Sequence, residues 1–210
     1  AEKYDVMLIE DCCESHGVQF GDNKVGTFGD MSNFSFYFGH HITTIEGGMV
    51  CTNNDDLYDL AKMYRSHGMT RDASESVKKR YEKENPDLNP LFTFAVPGFN
   101  LRSTEINAVI GLEQLPRLDD IIKRRTGNLE VWLENLRDDI FYTDFDLDGS
   151  SNFSLPLILR GGDHKLFSKI GQHLTDKRIE FRKGTAGGGN QVKQPYLSCY
   201  PHRISGNLTN

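Results

Sequence analysis

The stretch FSFYFGHHITTIEGGMV, Phe34–Val50, decides the reading of the fold. Phe34–Phe38 is an aromatic run suited to a pleated, half-buried surface, so it reads as a strand. After a polar segment and a glycine turn, "GGMVCTN" reads as the next strand. Upstream, "YDVMLIE" (Tyr4–Glu10) is a short apolar run of the kind found in buried parallel strands. The intervening "GDNKVGTFGD" is rich in turn residues. Downstream, Asp55 is expected to cap a helix that carries Leu57, Leu60, Ala61 and Tyr64 on one face. A parallel-type strand first suits an α/β fold.

Residues 66–100 are polar and irregular, with Pro86, Pro90 and Pro97, and so long a stretch is expected to serve function or assembly. "STEINAVIGLEQL" opens with a cap at Ser103 or Thr104 and predicts a helix burying Ile106, Val109 and Ile110. Pro116 separates it from a second helix over about Arg117–Arg137, whose stripe is Leu118, Ile122, Leu129, Trp132 and Leu136. The pattern then changes. "FSLPLIL" predicts a strand, "HKLFSKIGQHL" a helix and "RIEFR" a strand. The boundary between a large domain (1–120) and a small C-terminal α+β domain (121–210) is expected inside the long helix, near residue 120.

The bulk composition excludes several classes. With 37% hydrophobic and 26% charged residues, a globular protein is expected rather than a disordered one. A net charge of −6 argues against general nucleic-acid or anionic-membrane binding. No apolar run approaches the roughly 20 residues that span a bilayer. The cysteines, Cys12, Cys13, Cys51 and Cys199, form neither a disulfide framework nor a zinc motif, which suits free thiols in a reducing cytoplasm.

Taken singly, the residues leave their roles open. Asp11 is either a turn aspartate or a carboxylate at the carboxyl edge of a sheet, where α/β proteins place ligand groups. Neighbouring strand residues face opposite ways, so His40 and His41 are not expected to share a metal, and one of them should face inward. "TAGGGN" could cradle a phosphate or simply form a loop.

Taken in order, "LIEDCC…HG", "KVGTFGDMSNFSFYFGHHITTIEGGMVCTN" and "GFNLRSTEINAVIGLEQLPRLD" resemble the sugar-aminotransferase superfamily. Its members are fold-type-I enzymes using pyridoxal phosphate (PLP) on nucleotide-linked keto sugars. The resemblance is fine-grained over residues 4–125 and looser through "FRKGTAGGGNQVKQPYL" and "GNLTN". It implies the mixed-sheet large domain and a homodimer with a shared site. Asp11 would hold the pyridine nitrogen and Ser35 the cofactor phosphate. Asn100 would reach that phosphate from the neighbouring subunit, and Glu14 would stand beside the ring. Arg182, Lys193 and Gln194 resemble substrate contacts.

One position departs from the wider family. Aminotransferases carry a lysine, bonded covalently to the cofactor, where this chain has His40. Histidine makes no such stable bond but can move a proton. "HHIT" is similar to the nucleotide-sugar 3-dehydratases, in a GDP-4-keto-6-deoxymannose subgroup and a CDP-4-keto-6-deoxyglucose subgroup. The expected activity is loss of the 3-hydroxyl from a nucleotide-linked 4-keto-6-deoxysugar. The cofactor would be held noncovalently, as PLP and its pyridoxamine form, with L-glutamate as amino donor. The alternatives are a sugar aminotransferase and a non-catalytic relative of the fold. Residues 52–198 contain no cysteine, so the iron–sulfur cluster of the CDP subgroup is not expected. The tail nevertheless resembles that subgroup, which leaves the nucleotide open. Family members also carry strands and a phosphate-gripping helix N-terminus before the equivalent of Tyr4, so the sequence is expected to be a fragment that binds cofactor poorly alone.

Overall fold

Three short strands carry the candidate site. In the computed structural model, which describes residues 1–184, 190–199 and 201, they are β1 (Ile9–Asp11), β4 (Met31–Ser35) and β5 (Gly48–Cys51). The sheet order is β1-β4-β5, with β1 parallel to β4 and β5 antiparallel to it. A mixed sheet is the arrangement the sequence implied. The central strand lies earlier than the aromatic run: β4 ends at Ser35, and Phe36–Gly47 forms an irregular loop. The alternating-face argument for His40 and His41 therefore lacks its strand, and the loop alone separates them.

The apolar run before Asp11 is not buried. Val6, Met7 and Ile9 are each more than half exposed, because β1 is an edge strand and no element among the described residues covers its outer side. A two-strand hairpin, β2 (Gln19–Phe20) and β3 (Asn23–Lys24), separates β1 from β4. Between them, Glu10 anchors the turn: its carboxylate accepts the backbone N–H groups of Gly26, Phe28 and Gly29, each at 2.7 Å.

Helix α1 (Asp55–Arg65) follows β5. Its cap is Asn54, not Asp55: the Asn54 Oδ1 accepts from Asp56 N and Leu57 N, and the two aspartates instead favour the first turn electrostatically. Met63 is its buried anchor. Buried Asp59 accepts from both the backbone N–H and the hydroxyl of Ser74, which fixes the start of α2 (Glu75–Glu84). The stretch 66–100 is thus less irregular than expected; α2 formed where a helix with only Val77 and Tyr81 as its apolar face gave no periodic signal. Gly68 closes the α1 turn at φ +80°, where a Cβ would collide with the Val96 carbonyl oxygen.

Helix α3 (Glu105–Gln114) is capped by Thr104, with Asn107 completing a capping box. Its orientation departs from the expectation at Ile106 and Val109, while Ile110 is half-buried. Ile106 is 73% and Val109 60% exposed, whereas the polar side carries the packing. Gln114 donates to Thr43 O (2.6 Å) and accepts from Thr43 N (3.0 Å), and Asn107 donates to Thr44 O (2.8 Å). The cause is backbone accounting: the loop after β4 has few strand partners, and α3 supplies them. Helix α4 (Leu118–Glu134) follows a 3-10 turn at Pro116 and buries Leu129 as predicted.

The described residues fall into two compact units, Ala1–Asp138 with Thr143–Leu157, and Asp139–Tyr142 with the residues from Ile158 onward. Residue 120, the boundary expected from sequence, lies inside α4, which the first unit keeps whole. The second unit contains α5 (His164–Asp176), capped by Asp163, as the sequence predicted. The predicted strands "FSLPLIL" and "RIEFR" do not form among the described residues; a single bridge, Phe141 to Leu159, stands in their place. Pro156 has no N–H for a ladder, its carbonyl is taken by the Trp132 indole, and Arg178 sits at φ +57°.

Candidate active site

The site is built at the carboxyl end of β1. The parallel register sets Asp11 beside Asn33, whose amide donates to Asp11 Oδ1 at 2.9 Å. The same amide reaches Cys13 Sγ at 3.0 Å, and Cys13 N donates to Asp11 Oδ1 at 3.2 Å. The Cys13 side chain, its backbone N–H and Asn33 hold the Asp11 carboxyl below its usual range, and the His40 charge adds to this. Burial and the neighbouring carboxylate push the Cys13 thiol up to about 11, so it acts as a donor rather than as a nucleophile. One step back, burial alone would raise the Glu10 pKa, but the donors Gly26, Gly29 and Phe28 outweigh it and the carboxylate stays low.

His40 stands in the loop after β4, its N–H closing a turn onto Tyr37 O. Its Nδ1 lies 3.4 Å from Ser35 O. A carbonyl only accepts, so Nδ1 is the donor in this contact; in the neutral imidazole that leaves the lone pair on Nε2, the form a proton acceptor requires. Tyr37 and Phe153 meet the ring edge-on at 5.6 and 5.4 Å. Ser35 Oγ accepts from Tyr37 N at 3.2 Å, so its own O–H is left to donate.

His41 has different surroundings. It is 3% exposed, with Nε2 at 3.0 Å from Ser151 Oγ and its ring 5.4 Å from that of His16. Burial first, then the nearby Arg125 and His16 charges, lower its pKa to about 4. His16 is also buried; both its ring nitrogens lack a hydrogen-bond partner among the described residues, and its pKa is lowered by burial.

The structure thus brings Asp11, Ser35 and His40 together around the β1 and β4 ends. Glu14 lines a groove that includes Phe153, the same ring that touches His40. Asn100 is elsewhere in the first unit, bridged to Ser66 behind α1. Its Oδ1 accepts from Arg102 Nε at 3.0 Å, and because a guanidinium has no acceptor, the Asn100 NH₂ is left to donate outward. Arg182, Lys193 and Gln194 belong to the second unit. Most of "TAGGGN" and all of "GNLTN" lie outside the described residues. Sequence reasoning missed Asn33, Phe153 and Glu10. Only the strand register could have paired Asn33 with Asp11.

These groups suit a phosphorylated pyridine. Asp11 is a carboxylate kept charged for a protonated ring nitrogen, and Ser35 and Asn100 each hold out a donor of the kind a phosphate accepts. A carboxylate at the end of a parallel strand, followed by this serine–histidine loop, fits the fold-type-I PLP-dependent class, to which its solved relatives assign the fold. Within it the chain belongs to the DegT/DnrJ/EryC1/StrS aminotransferase family, whose sequence profile matches residues 1–183.

The chain is 33% identical over 210 residues to GDP-4-keto-6-deoxy-D-mannose 3-dehydratase of Yersinia pseudotuberculosis, covering 99% of this chain and 53% of that protein. It is 31% identical over 208 residues to the enzyme of the same name from Escherichia coli O55:H7, covering 98% and 53%. The solved E. coli GDP-4-keto-6-deoxy-D-mannose-3-dehydratase with bound hydrated PLP superposes with a TM-score of 0.71 at 30% identity, over 92% of this chain and 48% of that one. The chain therefore spans about half the length of the curated relatives it matches.

Proposed function

We propose that the protein carrying this chain removes the 3-hydroxyl of a GDP-linked 4-keto-6-deoxyhexose, using PLP and its pyridoxamine form. The observation that carries the reading is His40. The stretch Phe34–Val50 contains no lysine, and His40 stands in it with Nδ1 3.4 Å from Ser35 O. The relatives' activity on a GDP-linked sugar supports GDP over CDP.

When bound, the cofactor supplies an amine for the keto group and a ring that takes up electrons. Asp11 keeps the ring nitrogen protonated. Ser35 and Asn100 hold the phosphate, Asn100 from a second copy of the chain in a homodimer. Glu14 stands beside the ring. His40 Nε2 accepts and returns the proton, and the Ser35 carbonyl keeps the imidazole in that tautomer. Arg182, Lys193 and Gln194 would contact the substrate, and L-glutamate would replenish the amine. Among the described residues no helix is long and apolar enough to cross a membrane. The proposed work on a nucleotide-linked sugar would take place in the cytoplasm.

The test is chemical. Stoichiometric PLP followed by borohydride should leave no cofactor mass on any lysine; one adduct at a single lysine overturns the role of His40. With L-glutamate and GDP-4-keto-6-deoxymannose the product should be the 3-deoxy sugar, and an amino sugar would mean transamination. His40→Asn should lower turnover by 10²–10⁴-fold, the usual worth of a positioned acid–base group. Loss on His41→Asn with His40→Asn active would reverse the assignment.

A further inference from the structure

The donors around Asp11 converge on one of its oxygens. Cys13 N at 3.2 Å and the Asn33 amide at 2.9 Å both donate to Oδ1. A carboxylate only accepts, so Asn33 turns its NH₂ rather than its oxygen to Asp11. The same NH₂ reaches Cys13 Sγ at 3.0 Å, so one amide ties the carboxylate to the thiol. Asn33 is anchored in turn by its backbone. It pairs with Asp11 across the parallel ladder, and its carbonyl accepts from Cys12 N at 2.9 Å. Strand alternation sets Asn33 and Ser35 on one face of β4 and Ser32 and Phe34 on the other. Ser32 Oγ donates to Gly26 O, and the Phe34 ring meets the buried His16, which marks the second face as the inner one. The first face carries Asp11 and Ser35, the residues assigned to the ring nitrogen and the phosphate. Asp11 is exposed there to an incoming ligand.

The torsion that turns an aspartate carboxylate is broad, so a single local turn onto Cys13 N orients it loosely. A second donor from the neighbouring strand removes that freedom. We propose that Asn33 is a positioning residue for Asp11: it occupies Oδ1 so that Oδ2 is the oxygen presented to the protonated nitrogen of the cofactor ring. Asn33 acts on the cofactor only through Asp11. This rests on the reading that the site binds PLP. The Cys13 thiol and N–H, followed by Asn33, also hold the Asp11 carboxyl below its usual range, so it stays charged opposite a cationic ring.

Calorimetric titration of the cofactor-free protein carrying this chain tests it, with PLP and, separately, with the deaza analogue of PLP, in which a C–H replaces the ring nitrogen. The unaltered protein should prefer PLP. Asn33→Leu, close in size but without a donor, should weaken PLP about tenfold, the worth of one hydrogen bond, and leave the deaza analogue unchanged. Unchanged binding of the analogue shows that the fold and the phosphate contacts are intact. Should Asn33→Leu lose both ligands, Asn33→Ala, which adds no bulk to the strand, decides in its place. Equal weakening of both ligands by the deciding variant, or of neither, overturns the role of Asn33 while the cofactor reading stands. Equal binding of both ligands by the unaltered protein overturns it as well, because Asp11 then does not meet the ring nitrogen. Failure of the unaltered protein to bind PLP overturns the cofactor reading and this inference with it.

Discussion

His40 and His41 are adjacent in sequence and differ in everything around them. His40 keeps one nitrogen on a carbonyl and the other free, whereas His41 is sealed beside Ser151 and His16. The consequence for His41 is a pH dependence. Its folded pKa, about 4, lies below its ordinary 6.5, so between those values the unfolded chain binds a proton that the folded chain does not. Stability then rises with pH across the window, is fully present above 6.5, and is lost as pH falls towards 4. The gap corresponds to roughly 3 kcal/mol at 1.36 kcal/mol per pKa unit. His16, lowered in the same direction, adds to the slope. Urea midpoints measured at pH 7 and pH 4.5 should fall steeply for the parent and less for His41→Asn, which keeps a polar partner for Ser151 but does not titrate. Equal slopes would mean that other groups carry the acid sensitivity. The sequence made Asp11, Ser35 and His40 visible because each sits in a motif string. Asn33 and Phe153 were not visible, since their roles come from register and from a chain return more than a hundred residues away, which periodicity does not encode.

At the scale of elements, the helices were the legible part. Apolar periods, with a cap signal at α3, placed α1, α3, α4 and α5, and only α2, whose apolar face is Val77 and Tyr81 alone, escaped. Which face a helix buries was less legible, as α3 demonstrates. Its apolar residues invited a core assignment, but the loop that carries His40 has backbone groups that need partners, and Asn107 and Gln114 provide them. Gln114 therefore acts on the site through the loop. Gln114→Ala removes two hydrogen bonds to Thr43 and should cost about 1–3 kcal/mol by leaving part-buried backbone groups unpaired. Hydrogen exchange should show faster opening of residues 42–46 with α1 unchanged. Uniform exchange across the unit would mean that α3 stabilises the fold without holding the loop. The predicted strands "FSLPLIL" and "RIEFR" failed for the opposite reason. An apolar run is only a candidate strand until a partner strand lies beside it, and Pro156 removes a donor from the ladder.

At the scale of the whole molecule, the exposed apolar residues and the scattered site point the same way. Leu101, Ile106, Val109 and Leu112 are each at least 60% exposed, on and just before the helix that follows Asn100. A soluble chain seldom leaves such a stripe uncovered. Asn100 is exposed, and its side-chain oxygen accepts from Arg102, which leaves its NH₂ to donate. If Asn100 serves the cofactor of a second copy, two different inactive variants should repair each other. A His40→Asn subunit lacks the base but offers an intact Asn100 to its partner; an Asn100→Asp subunit keeps the base and sets a negative charge against the phosphate. In a mixed two-fold dimer one of the two sites then contains both wild-type groups and the other contains neither. Random pairing makes half of the dimers mixed, so coexpression should restore about one quarter of the parent turnover, although each variant alone is inactive. A mixture that stays inactive, while sedimentation shows that mixed dimers have formed, would put Asn100 and His40 of the same chain in one site, and the apolar stripe on α3 would then need another explanation.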